Sequence, residues 1–210
     1  VVVASKSLAP VPWLTLTLAS GALAAHWVPG AADVLVYDRT AVAAGEPWRL
    51  LTAHWVHFSG SHLLSNLAVL VATGWLIEAE GRSDPVRLFG MAALSIGIVL
   101  FVAQPELRIF GGASGVAYAF VTYLGLCGLR DADRWRWLCA ALLAVVGAKL
   151  LAEQVWGWSL VARDPEAGFV TVPLSHAAGI AAGTGLWLWK LASRQRPSPR
   201  PSPARGEGAC

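Results

Sequence analysis

The chain has 210 residues, of which 56% are hydrophobic and only 14% charged, and its mean hydropathy is +0.55. Soluble domains carry roughly 25% charged residues, and the deficit here runs along most of the chain, which excludes an ordinary soluble globule and predicts an integral membrane protein with a lipid bilayer as solvent. The net charge of +3 gives no reason to expect a nucleic-acid partner, and Cys127, Cys139 and Cys210 are too scattered for a disulfide framework or a zinc pattern.

Six apolar segments, each near the ~20 residues that a membrane helix needs, follow in chain order: residues 11–28, 62–77, 86–103, 114–129, 137–156 and 174–192. No small-residue cleavage site follows the first, so it reads as a retained helix rather than a signal peptide. The connection over 29–61 is long and carries Trp48, Trp55 and Phe58, suited to the membrane interface. Breakers punctuate the rest: Pro29-Gly30, Gly81 to Pro85, Gln104-Pro105, Arg130-Asp131 and Asp164-Pro165. Residues 1–195 read as one membrane domain, and the basic, Pro-rich stretch 196–210 as a disordered tail.

Basic residues gather on one side of this arrangement. Arg82 and Arg87 follow the second segment, Arg130, Arg134 and Arg136 the fourth, and Lys190, Arg194, Arg196, Arg200 and Arg205 the sixth. The opposite connections hold only Arg39, Arg49, Arg108 and Arg163. The positive-inside rule then predicts an all-α, six-span bundle with both termini cytoplasmic. It also sets the starts of segments two, four and six, with His62, Ser114 and His176, at one depth near the outer face.

Polar residues inside membrane helices are costly and mark interhelical contacts or functional sites. His62 and Asn66 are four apart and share one face, as do Ser114 and Tyr118. Gly111-Gly112 lets the chain dive into the membrane before Ser114, and a serine at a helix N-terminus sits beside unbonded backbone N–H groups. His176, Gly179 and Gly183 form one stripe, and the two glycines permit close approach of another backbone. A serine and a histidine on touching helices make a minimal nucleophile–base pair. No intramembrane carboxylate is evident to orient the histidine, so the expectation is a two-residue dyad, with Tyr118 stacking on the ring. Lys149 and Glu153 are read as a pair that neutralise each other across one helical turn, either structural or for substrate recognition.

The ordered set resembles the rhomboid intramembrane serine proteases over about residues 45–188. It comprises Trp48-Arg49 and His57, His62-x-x-x-Asn66, Gly112-x-Ser114-Gly115 with Tyr118, and His176-x-x-Gly179-x-x-x-Gly183. Ala113 stands where a leucine is frequent in the family. The resemblance implies a six-helix bundle with Ser114 as nucleophile and His176 as base. It implies an oxyanion hole of His62, Asn66 and the Ser114 N–H, no cofactor and no metal. Tyr37-Asp38-Arg39, Gly45-Glu46-x-Trp48-Arg49 and Lys149-x-x-x-Glu153-Gln154-x-x-Gly157 are similar to the rhombosortase subgroup. That likeness implies membrane-anchored substrates with a C-terminal Gly-Gly motif, an apolar helix and a basic tail. It also implies a multi-pass place in the bacterial inner membrane, with the site open to the periplasmic side. The competing readings are a general rhomboid protease of single-span proteins, a non-catalytic client binder, and a metal or haem protein using His54, His57, His62 and His176. The last lacks a His-Glu-x-x-His run and any acidic ligand.

Overall fold

The computed structural model describes residues 11–82, 85–131, 133–156 and 172–194. The expected disordered tail and Gly157 lie outside them. The described chain is mostly helical. Helix α1 spans Trp13–Trp27, and three short helices follow: α2 (Ala31–Leu35), α3 (Arg39–Ala43) and α4 (Arg49–Thr52), the last continuing as a 3-10 turn over Ala53–Trp55. Then come α5 (Gly60–Ala79), α6 (Pro85–Ala103), α7 (Ser114–Gly128), α8 (Trp135–Trp156) and α9 (Pro173–Arg194). Three of these, α5, α6 and α8, are long and apolar enough to cross a membrane by length and composition.

Local chemistry sets the ends. Proline opens α6 and α9, where its missing N–H costs nothing. The Ser59 side chain caps α5 by accepting from His62 N at 3.2 Å, and Asp38 caps α3 through Thr40 N and Ala41 N. Helix α1 has no acid in its first turn; Glu78 near the end of α5 fills that role instead. Its carboxylate accepts from Leu14 N, Thr15 N and the Thr15 hydroxyl.

Helix α7 is the axis of the bundle, buried on nearly all sides and packed on α5, α6, α8 and α9. A helix apolar all round belongs in such a place. Phe120, Tyr123 and Leu124 of α7 join Leu70 and Ile77 of α5 and Leu88, Ile96 and Leu100 of α6 in the core. Outward faces expose Leu64, Trp75, Met91, Val102, Leu151 and Val155, a surface that matches hydrocarbon rather than water. At the other end from Ser114, Arg82 ties helix ends together. Its guanidinium pairs with Glu80 and Asp131, while its carbonyl accepts from Tyr123 Oη at 2.7 Å and from Lys190 Nζ.

The all-α architecture carries one small addition. Tyr37–Asp38 (β1) and Ile109–Phe110 (β2) pair antiparallel, Tyr37 opposite Phe110. Two-residue strands carry no alternation to read. The clip matters because β2 leads directly into the loop before Ser114. Arg39 extends it with a backbone bond from its N–H to Arg108 O, and its side chain anchors β1 to the end of α6 by donating to Phe101 O at 2.8 Å and lying over the Phe101 ring.

Candidate active site

The site is built where α7 begins. Gly112 has φ +137°, and a Cβ there would meet the His62 ring at 2.7 Å, so only glycine lets the loop turn under α5. Two histidines of the connector hold this loop. His54 is fully buried, with Nδ1 3.2 Å from Gly112 O and Nε2 3.0 Å from Ala93 O. His57 Nε2 accepts from Ala113 N at 3.3 Å, while its Nδ1 lies 3.1 Å from Trp55 O and its ring meets that of His62 edge-on. Burial pushes both pKa values down to about 4, reinforced at His57 by the neighbouring His62.

That neutrality has a consequence for stability. Both rings stay unprotonated in the folded state until about pH 4, whereas an unfolded histidine takes a proton near 6.5. The unfolded chain therefore binds more protons between those values, and the stability present above pH 6.5 is lost as pH falls toward 4. Thermal unfolding in detergent is expected to show a midpoint that drops over this window and levels off below it. The loss should be on the order of a few kcal/mol for the two groups together. An unchanged midpoint between pH 7 and 4 would refute it.

Close helix packing brings the two principal side chains together. Helices α7 and α9 form the most extensive contact in the bundle. A Cβ on Gly179 would collide with the Gly115 carbonyl, one on Gly183 with the Ala119 carbonyl, and one on Gly115 would lie 2.7 Å from Ser175 O. With these glycines the backbones touch, and Ser114 Oγ lies 2.9 Å from His176 Nε2. Tyr118, one turn after Ser114, stacks on the His176 ring at 4.4 Å between centroids and 15° between planes, as its spacing predicts.

A carboxylate does stand beside the histidine, where none was evident from the sequence: it belongs to Glu153. Its Oε2 lies 2.5 Å from His176 Nδ1, and its Oε1 pairs with Lys149 Nζ. Lys149 also donates to Tyr118 Oη at 2.9 Å. The spacing of Lys149 and Glu153 gave the carboxylate one partner, but a carboxylate has two oxygens and can serve two donors. A readable signal is present: Glu153 falls on the last turn of α8, at the end of the bundle where α7 and α9 begin with Ser114 and His176.

His62 and Asn66 line the same cavity as Ser114, Tyr118, Lys149 and His176. This cavity has a volume of about 530 Å³ and extends between α5 and α8 along small and aliphatic side chains such as Ala72, Leu142 and Val146. Asn66 Nδ2 is buried with no hydrogen-bond partner among the described residues. A buried donor left unmade is costly, so this one is poised for an acceptor that enters the cavity. Other expected residues sit elsewhere. Arg49 holds the connector by pairing with Glu46 at 2.5 Å and donating to Asp33 O and Val36 O. Trp48 is half-exposed and donates to Val34 O. Gln154 lies on the exposed face of α8.

A hydroxyl, an imidazole, an orphan amide donor and a helix N-terminus around one apolar cavity can support acyl transfer. Comparison with known proteins agrees with the architecture. Residues 44–193 match the family model of the Rhomboid domain. The chain is 32% identical over 139 residues to "Rhomboid protease GlpG" of Klebsiella pneumoniae (strain 342), covering 66% of this chain and 46% of that protein. It is 31% identical over 128 residues to the protein of the same name from Salmonella paratyphi A, covering 58% of this chain and 45% of that one. The chain thus spans less than half the length of these relatives. A match over most of the described helices, with the ordered residues at its centre, makes the chain a member of the rhomboid family of integral membrane proteins.

Proposed function

We propose that the chain is an intramembrane serine endopeptidase. The observation that carries this reading is the 2.9 Å contact of Ser114 Oγ with His176 Nε2 at the wall of an apolar cavity. Ser114 Oγ attacks the scissile carbonyl carbon as its proton passes to His176 Nε2. The carbonyl π pair moves onto oxygen, where Asn66, His62 and the Ser114 N–H serve as donors. Collapse breaks the C–N bond, and the leaving amine takes the proton from Nε2. Water, deprotonated in turn by His176, attacks the acyl-serine, releases the carboxylic acid and restores Ser114. An amine acceptor in place of water would make the same site a transpeptidase.

The oxyanion role has its own test. Asn66→Ala removes one donor and is expected to lower kcat by on the order of 10²–10³ with little change in KM. Steady-state cleavage of a fluorogenic single-span substrate in proteoliposomes reads it, and an unaltered kcat would exclude Asn66 from the hole.

The orientation proposed is six spans with both termini cytoplasmic in a bacterial inner membrane, and Ser114 facing the periplasm, on the charge bias of the connections. The proposed substrates are exported proteins anchored by a C-terminal Gly-Gly motif, an apolar helix and a basic tail. Glycine near the cut suits the chemistry, because a helix shields its carbonyls from attack. The likeness of the Tyr37, Glu46 and Lys149–Gln154 segments to the rhombosortase subgroup supports this narrower reading. Co-expression with a Gly-Gly-tailed reporter tests it: processing that disappears with Ser114→Ala and with His176→Ala is the expected result. A reporter left intact, beside cleavage of an unrelated single-span protein, would reduce the function to that of a general rhomboid protease. A client bound but never cut would make the chain a non-catalytic binder.

A further inference from the structure

Glu153 is 2% exposed in a helix that faces hydrocarbon, and a carboxylate in such a place needs a reason. Its ion pair with Lys149 explains only one of its oxygens. We propose that Glu153 is a positioning residue that completes a Ser114–His176–Glu153 chain, with Lys149 as the counter-ion that holds it in place. The proposal rests on the reading of Ser114 as nucleophile and His176 as base.

The argument is one of donors and acceptors. An ionised carboxylate only accepts, so the hydrogen between Glu153 Oε2 and His176 Nδ1, 2.5 Å apart, belongs to the ring nitrogen. A neutral imidazole carries one N–H. With that hydrogen on Nδ1, the lone pair of Nε2 faces Ser114 Oγ at 2.9 Å, the tautomer that can take the hydroxyl proton. When it does, the ring becomes a cation between the tetrahedral intermediate and Glu153, and the carboxylate stabilises it without taking the proton. The remaining groups lock the geometry. Tyr118 covers one face of the ring, and Lys149 bridges Tyr118 Oη and Glu153 Oε1. The ring-stacking tyrosine and the carboxylate are therefore tethered to one ammonium. Lys149 and Glu153 are together neutral, which limits the cost of burying them.

A glutamine at 153 has nearly the same shape but can turn its amide N–H toward Nδ1, which forces the hydrogen onto Nε2 and blocks the base. An aspartate is one methylene shorter but keeps the charge. Tautomer control therefore orders the variants Glu153→Asp above Glu153→Gln, whereas packing alone orders them the other way.

The test uses the full chain in detergent micelles, a fluorophosphonate probe for Ser114, a fluorogenic single-span substrate and thermal unfolding. Glu153→Gln is expected to lower kcat by on the order of 10²–10⁴, with KM and the unfolding midpoint nearly unchanged, and to slow probe labelling in parallel. Glu153→Asp is expected to recover part of that loss. Lys149→Met takes the counter-ion from Glu153; whether the carboxyl then neutralises or swings away, it no longer holds the Nδ1 hydrogen as an ionised acceptor, and labelling is expected to slow at least tenfold. If Glu153→Gln does not fold, Lys149→Met and Glu153→Asp decide: labelling of both at the wild-type rate overturns the proposal. Wild-type labelling of a folded Glu153→Gln, or Gln outperforming Asp, overturns it and leaves the serine nucleophile standing. A wild-type chain that the probe does not label at Ser114 removes the nucleophile itself, and the proposal with it.

Discussion

Ser114→Ala and His176→Ala are each expected to lower cleavage by on the order of 10⁶, to the detection floor, while the unfolding midpoint stays where it was for Ser114→Ala and falls modestly for His176→Ala, whose ring is buried. The two losses should not add in the double variant. The serine hydroxyl is a poor nucleophile until its proton has somewhere to go, and without the serine the imidazole has no hydroxyl proton to take. Removing either therefore removes the step that both perform, and what remains is the contribution of the donors around the cavity. Ser114 carries little of the fold, while His176 is buried against Glu153 and Tyr118, so its removal costs some stability without dissolving the bundle. The contact of α7 with α9 runs through Gly115, Ala119, Gly179 and Gly183, which both variants keep. Loss of activity with loss of the fold would point to a structural serine–histidine bond. Full cleavage by Ser114→Ala would end the serine-protease reading. Substrate cleavage, fluorophosphonate labelling and thermal unfolding on the same preparations separate these outcomes.

The principal residues were legible because helix geometry made them so. Ser114 with Tyr118 and His62 with Asn66 repeat at one turn, and His176 with Gly179 and Gly183 mark a face where a backbone can approach. Charge counts on the connections predict a common depth for all three, and the six long helices begin and end within two residues of the apolar segments. What stayed hidden was made by contacts between side chains and distant backbone. His54 and His57 hold the loop through carbonyls and an amide 39 to 58 residues away, and nothing in a local pattern announces such a bond. The β1–β2 clip is too short to alternate. Glu153 is visible in the sequence, but i, i+4 spacing reveals only Lys149, its partner on the same helix, and says nothing of a second on another. Arg82 counted only as a positive charge, although its carbonyl, which any residue would supply, is what Tyr123 and Lys190 bind.

The close approach of α9 to α7 yields the other large effect. Gly179→Ala is expected to cost on the order of 1–3 kcal/mol of stability and to lower kcat by about 10²-fold or more. The added Cβ would fall on the Gly115 carbonyl, which is backbone and cannot swing aside. Helix α9 must retreat, and a carbon–oxygen contact near its usual minimum of about 3.3 Å requires a shift on the order of 1 Å. Gly115 adjoins Ser114, and Gly179 lies one turn beyond His176, so the retreat is delivered almost entirely to the 2.9 Å bond between them. A bond lengthened by that amount no longer transfers a proton efficiently. Gly185→Ala is the control on the same helix: no atom lies within 4 Å of its Cβ position, and the better helix propensity of alanine should leave stability equal or slightly higher. If Gly179→Ala labels and cleaves like Gly185→Ala, α9 has room to spare, and the glycine stripe is not what holds His176 against Ser114.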